Sequence, residues 1–177
     1  MIDRNGFRLN VGIILVNTDG KLFWGKRVKS NGWQFPQGGV NPYETLEETM
    51  YRELTEEVGL AKDDIKILAV TKRWLTYKLP SRLRHQGSAS SCIGQKQKWF
   101  LLLLTSEESK INLNYSTHPE FSEWKWIGYW EPLRHIIYFK RDVYFKALKE
   151  LEPSVKSQIK PTAFSGFVSR SDQNNGN

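Results

Sequence analysis

The 177-residue sequence holds a single cysteine, Cys92, and only three histidines, His85, His118 and His135. One cysteine cannot build an internal disulfide framework, and no Cys/His pattern with zinc-ligand spacing surrounds it. Cys92 also lacks a local activating context, and the histidines are scattered, so nothing points to a Cys- or His-based nucleophile. Long apolar runs are missing too. The longest cover residues 11–16, interrupted by Gly12, and 101–104, far short of the roughly 20 residues that span a bilayer. The opening MIDRNGFRLN has no secretory apolar core, so no membrane role and a cytoplasmic location are expected. No internal repeat is present. One absence is local. From Lys72 to Lys98 there is no Asp or Glu, against seven cations: Lys72, Arg73, Lys78, Arg82, Arg84, Lys96 and Lys98.

What remains suits one soluble domain, with 39% hydrophobic and 25% charged residues. The net charge of +7 favours polyanionic partners such as nucleic acid or nucleotides. The strongest acidic cluster, between Glu44 and Glu57, lies apart from the basic stretch, so metal and phosphates could be held in different places.

Residues 10–18 and 21–27, joined by the turn signal Asn17-Thr18-Asp19-Gly20, read as a hairpin. A short strand over 33–36 is followed by a loop over 37–42 with the Gly38-Gly39 pair. Residues 44–59 read as a helix, because Leu46, Met50, Leu54 and Val58 recur every fourth position and Gly59 is a stop signal. One long or bent strand is expected over 65–79, an exposed loop over 80–94, a central strand over 95–105 and another strand over 123–127. Helical spacing returns over 139–151 at Val143, Ala147 and Leu151. These elements predict an α/β fold in which a mixed β-sheet is sandwiched between helices. The expected domain covers residues 6–151, and the polar segment 152–177 reads as a disordered tail.

The chemistry concentrates on the first helix. Gly38 is followed after five residues by Glu44, and seven further on comes Arg52-Glu53-Leu54-Thr55-Glu56-Glu57-Val58-Gly59-Leu60. On a helix, Glu53, Glu56 and Glu57 stand at i, i+3 and i+4 and share one face. Like charges at that spacing repel, and the helix C-terminus disfavours anions. A divalent cation resolves the conflict, since hard cations take carboxylate oxygens together with substrate phosphates. Arg52, eight residues after Glu44, is expected to tie down one of these carboxylates. A solvated acidic helix face is the alternative for an arbitrary Glu-rich helix.

The spacing matches the Nudix box, G-x5-E-x7-R-E-U-x-E-E-x-G-U, over residues 38–60 at every fixed position, and the chain resembles the Nudix hydrolases. That resemblance implies an α/β/α sandwich, dependence on Mg²⁺ or another divalent cation such as Mn²⁺, and attack of water on a phosphoric anhydride. The stretches Trp33-Gln34-Phe35-Pro36-Gln37-Gly38-Gly39, Gly94-Gln95-Lys96-Gln97-Lys98-Trp99-Phe100 and Phe139-Lys140-Arg141-Asp142-Val143-Tyr144 extend it to members that act on RNA. These remove pyrophosphate from 5′-triphosphorylated RNA, leave a 5′-monophosphate and expose the transcript to decay. The similarity covers roughly residues 1–151. It implies Glu53, Glu56 and Glu57 as catalytic metal ligands, with Glu120 added from a separate loop. It implies Arg8, Arg27, Tyr77, Phe139 and Lys140 as contacts to the triphosphate or the first bases. For Tyr77 and Phe139, core packing is the alternative to stacking. A box position that often carries glycine in related proteins is occupied by Tyr43.

Two other functions compete with the RNA reading. One is hydrolysis of dinucleoside polyphosphates such as diadenosine tetra- or pentaphosphate. The other is an inert RNA-binding module, which would have no reason to keep mutually repelling carboxylates.

Overall fold

The computed structural model describes residues 1–83 and 92–158. Arg84 and His85, and residues 159–177 of the expected tail, lie outside the described residues. Strand β1 (Phe7–Val16) runs parallel to β7 (Gly94–Leu104) over ten residue pairs and forms the centre of a mixed sheet. The other pairings are antiparallel: β2 (Leu22–Arg27) with β1, β3 (Trp33–Gln34) and β8 (Phe121–Ile127), β4 (Gln37–Gly39) with β1, and β5 (Ile65–Val70) and β6 (Leu75–Lys78) with β7. The mixed sheet between helices agrees with the expected fold.

Both faces of β1 are covered, which explains its unbroken apolar run. Val11, Ile13 and Leu15 pack with Met50, Leu54 and Val58 of helix α1 (Leu46–Val58). Ile14 and Val16 face the other way, onto Val143, Tyr144, Ala147, Leu148, Leu151 and Val155 of the C-terminal helix (Arg141–Gln158). A short helix, α2 (Pro132–His135), precedes that one, which is therefore α3.

Helix α1 starts at a capping box. The Thr45 hydroxyl accepts from Glu48 N at 3.1 Å, and Glu48 Oε2 accepts from Thr45 N at 2.8 Å, satisfying two otherwise orphaned N–H groups. It ends at Gly59 with φ of 76°, where a side chain would be strained and an added Cβ would also lie 2.6 Å from Asn112 O.

Three expectations need correction. Residues 37–39, expected as loop, form strand β4, because Pro36 still leaves their backbone free to pair with Asn10, Val11 and Gly12. The long or bent strand expected over 65–79 does bend, over residues 71–74, but is divided there into two strands that share β7 as partner. The last helix continues beyond Leu151 to Gln158 despite Pro153 inside it. Proline removes one helical hydrogen bond, but Val155 continues the every-fourth spacing and is fully buried, so packing offsets the loss.

Candidate active site

A cleft of about 430 Å³ opens where β4, the C-terminal half of α1, the start of β8 and the entry to α3 meet. Its walls include Arg8, Arg27, Glu53, Glu57, Tyr77, Glu120, Phe139 and Lys140. Eight of the nine side chains singled out in the sequence thus converge on one cavity. Glu56, the ninth, stands on the same helix face but does not line the cleft; its side chain is half exposed.

Glu53 and Glu57 are one helical turn apart and almost buried, with relative exposures of 8% and 9%. Burial pushes both carboxyls up, and Glu57 goes well above the ordinary range because Glu53 adds its repulsion. Gly38 makes this burial possible. A Cβ there would fall 1.6 Å from the Glu53 carboxyl carbon, so only a glycine lets β4 lie against the carboxylate.

Arg52 ties the box together, as its spacing suggested. Its Nε and Nη2 fork onto Glu44 at 2.7 and 3.0 Å, Nη1 reaches Glu53 at 2.7 Å and Glu56 at 3.3 Å, and Nη2 also donates to Gly39 O at 2.9 Å. The guanidinium holds the Glu44 carboxyl down to about 2. Glu57 Oε2 instead accepts from Gln37 N at 3.0 Å. Arg52 thus serves three of the box carboxylates, and Glu57 takes a separate donor. Among the described residues no three acidic, His or Cys side chains converge at metal-holding distance.

Glu120 arrives from outside the helix. A bulge between Lys26 and Arg27 in the β2–β8 pairing sets Arg27 opposite Phe121, and Arg27 Nε then reaches Glu120 Oε1 at 2.8 Å. Arg8 lies over the bare backbone of Gly39, close enough for its charge to act on Glu53.

The opposite wall is aromatic and basic. Tyr77 is 6% exposed and counts among the core residues, so it packs under the cleft that it also lines. Phe139 sits in the 3₁₀ turn Tyr138–Lys140 just before α3, half-buried, 5.7 Å from the Tyr77 ring at 38°. Lys140 is buried, with Nζ 3.0 Å from Gln34 Oε1 and 5.7 Å over the Tyr77 ring. Burial, helped by the neighbouring Arg27 charge, lowers its pKa to about 8.

Sequence reasoning gave no role to Asn10, Gln34, Gln37 and Gln95, which line the same cleft. They came from strands and a short loop with no local pattern to mark them. Two cations of the basic stretch are engaged away from the cleft. Lys96 pairs with Asp3 at 3.2 Å, and Lys98 Nζ donates to the Thr71 and Lys72 carbonyls at 2.7 and 2.8 Å. Lys72, Arg73, Lys78 and Arg82 remain exposed.

Carboxylates buried against their own kind, opposite cations and beside a half-buried ring, are a site for a phosphate chain held with a cation. The chain matches the NUDIX domain over residues 6–148 and belongs to the Nudix family, hydrolases that act on pyrophosphate bonds and generally use divalent cations. It is 58% identical over 154 residues to an RNA pyrophosphohydrolase of Pseudoalteromonas atlantica, covering 87% of this chain and 88% of the relative. A protein of the same name from Pseudomonas putida is 56% identical over 153 residues, covering 86% of this chain and 96% of the relative. Among solved structures, the E. coli dihydroneopterin triphosphate pyrophosphohydrolase superposes with a TM-score of 0.64 at 19% identity, over 81% of this chain and 97% of that one. A C. elegans Ap4A hydrolase complex gives 0.61 at 16% identity, over 85% and 98%. At such identities these two establish the fold alone. No described helix is long and apolar enough to cross a membrane.

Proposed function

We propose that the protein removes pyrophosphate from the 5′-triphosphate end of RNA, leaving a 5′-monophosphate. The observation that carries this reading is the cleft itself, in which the buried pair Glu53 and Glu57 faces Arg8, Arg27 and Lys140 across one cavity. The names borne by relatives at 56–58% identity support the RNA end as substrate.

The donor set fits a divalent cation, Mg²⁺ or Mn²⁺. Its members are hard oxygens, and Glu57, buried beside Glu53 with one N–H donor, is costly to ionise unless a cation joins it. Glu53, Glu56, Glu57 and Glu120 would hold it. Such an ion neutralises phosphate oxygens and lowers the pKa of a bound water. The protein's own groups do the rest. Arg8 and Arg27 present guanidinium forks to phosphate oxygens. Lys140 adds a short-range charge from a dry wall. Phe139 offers its exposed part as a stacking surface for an unpaired base, and the Arg52 network keeps Glu53 fixed in orientation. The water-attacked phosphorus then loses the terminal pyrophosphate.

The deciding experiment compares turnover of 5′-triphosphorylated RNA with that of diadenosine tetraphosphate at equal concentrations with Mg²⁺. Faster turnover of RNA, with pyrophosphate released, is expected. Faster turnover of the dinucleotide would move the assignment to small nucleotides, and no turnover of either would leave an inert RNA-binding module.

A further inference from the structure

Gln97 is fully buried in β7 and does not line the cleft, yet three amides that do line it converge on its nitrogen. Nε2 donates to Asn10 Oδ1 at 2.8 Å, and to Gln37 Oε1 and Gln95 Oε1 at 3.2 Å each. Gln97 Oε1 has no hydrogen-bond partner. A buried acceptor is rarely left unpaired, so the nitrogen side determines how this side chain sits. An amide NH₂ has two hydrogens. The short bond to Asn10 takes one, and Gln37 and Gln95 share the other.

The polarity of the cluster is fixed from outside it. A lysine can only donate, and Lys140 Nζ lies 3.0 Å from Gln34 Oε1 and 3.5 Å from Gln37 Oε1. Its ammonium therefore keeps the Gln37 oxygen on the buried side, while the NH₂ end of Gln37 meets the Tyr77 hydroxyl. With one oxygen so fixed, Gln97 must offer its nitrogen, and the oxygens of Asn10 and Gln95 follow.

We infer that Gln97 is a positioning residue that turns Asn10, Gln37 and Gln95 so that their NH₂ ends face the cleft as donors for phosphate oxygens. This rests on the reading of the site as a polyphosphate site. The register of the sheet makes it possible: Asn10 and Gln97 are direct partners in the β1–β7 ladder, Gln95 lies two residues back on the same face, and Gln37 pairs opposite Gly12. Neutral donors suit a cleft that already holds carboxylates, because they bind anions without pairing to Glu53 or Glu57 at full charge.

The test uses the full chain, with inorganic tripolyphosphate and Mg²⁺ as the probe in calorimetry and triphosphorylated RNA as substrate. Gln97→Met keeps the length and removes the donor. It should weaken tripolyphosphate binding and raise KM by about tenfold, the effect of one or two misdirected hydrogen bonds, with kcat within about twofold. Gln97→Glu keeps size and polarity but, when ionised, only accepts, so above the pH at which it loses its proton it should invert the three amides and weaken binding more than Gln97→Met; it also serves should the methionine variant fail to fold. In a Gln95→Ala background the Gln97→Met change should cost distinctly less than in the wild type, because part of its effect runs through Gln95. Wild-type affinity in both Gln97 variants, full additivity with Gln95→Ala, or no tripolyphosphate binding by the wild type would overturn the inference. Gln97-dependent tripolyphosphate binding without RNA turnover would sink the RNA reading and leave the positioning role standing.

Discussion

At the scale of single residues, Glu57 is the most perturbed acid in the cleft and the clearest probe of it. Its folded-state pKa is raised well above 4.5 by burial and by Glu53. The contribution to stability is therefore complete below the unfolded value of about 4.5 and is lost as pH rises through the folded value. Glu57→Gln keeps the size and the acceptor for Gln37 N but cannot ionise. Without added metal its melting temperature should exceed that of the wild type at pH 7, and the difference should vanish below about pH 4.5. With Mg²⁺, Glu53→Gln and Glu57→Gln should each lose at least about a hundredfold in turnover, as when a catalytic charge is removed. Near-normal turnover by both would remove them from the site. Tyr43 carries a different kind of stress, since it is the only described non-glycine residue with positive φ, at 71°, and it is fully exposed. Left-handed backbone costs roughly 1–2 kcal/mol for a side chain, against about 0.5–1 kcal/mol for the added freedom of glycine. Tyr43→Gly should then raise stability by up to about 1 kcal/mol in thermal or urea melts. A loss instead would show that the ring makes a stabilising contact.

At the scale of elements, the entry to α3 combines packing and recognition. Phe139 touches Tyr77 and stands at right angles to Tyr138 at 5.4 Å, yet it is only half-buried. Phe139→Ala should cost roughly 1–3 kcal/mol of stability, less than the 3–5 kcal/mol of a fully buried phenylalanine. It should also weaken RNA turnover by roughly the 1–3 kcal/mol of one lost base stack, with metal affinity unchanged. Melting curves and KM per folded molecule separate the two effects. A large drop in melting temperature with RNA KM intact would mean that the ring only packs.

At the scale of the whole molecule, the charge pattern suggests less than it first implies. The excess of +7 is not all available to a ligand, because Lys96 is paired with Asp3 and Lys98 is held by two backbone carbonyls. Of the basic stretch, Arg82 is exposed and next to the lining residue Leu83, and Arg84 follows it in sequence. RNA affinity should fall with salt through counterion release, and replacing Arg82 and Arg84 together should flatten the log–log slope by roughly 0.7 per lost phosphate contact. Chemistry on a small nucleotide should not change. An identical slope in wild type and double variant would exclude this loop from the RNA path.

The sequence by itself determined what is local. Residues at i, i+3 and i+4 must share a helix face, so Glu53, Glu56 and Glu57 were legible before any fold, as were the limits of α1 and the apolar stripe that seats it. Arg52 was legible for the same reason, two turns from Glu44. Tertiary structure decided what depends on distant pairing. The bulge in β8 brings Glu120 to Arg27 across 93 positions, and only packing shows that Glu57 turns into the cleft while Glu56 faces solvent. Tyr77 reads equally as a stacking or a core residue until the sheet closes over it. Strand β4 and the break between β5 and β6 were missed because each depends on partners in β1 and β7 rather than on its own composition. The parallel register of those two strands also gathers Asn10, Gln95 and Gln97, 85 to 87 positions apart, into one amide cluster. No period within a single segment encodes that meeting, since hydrogen bonds between strands are set by which strands become neighbours.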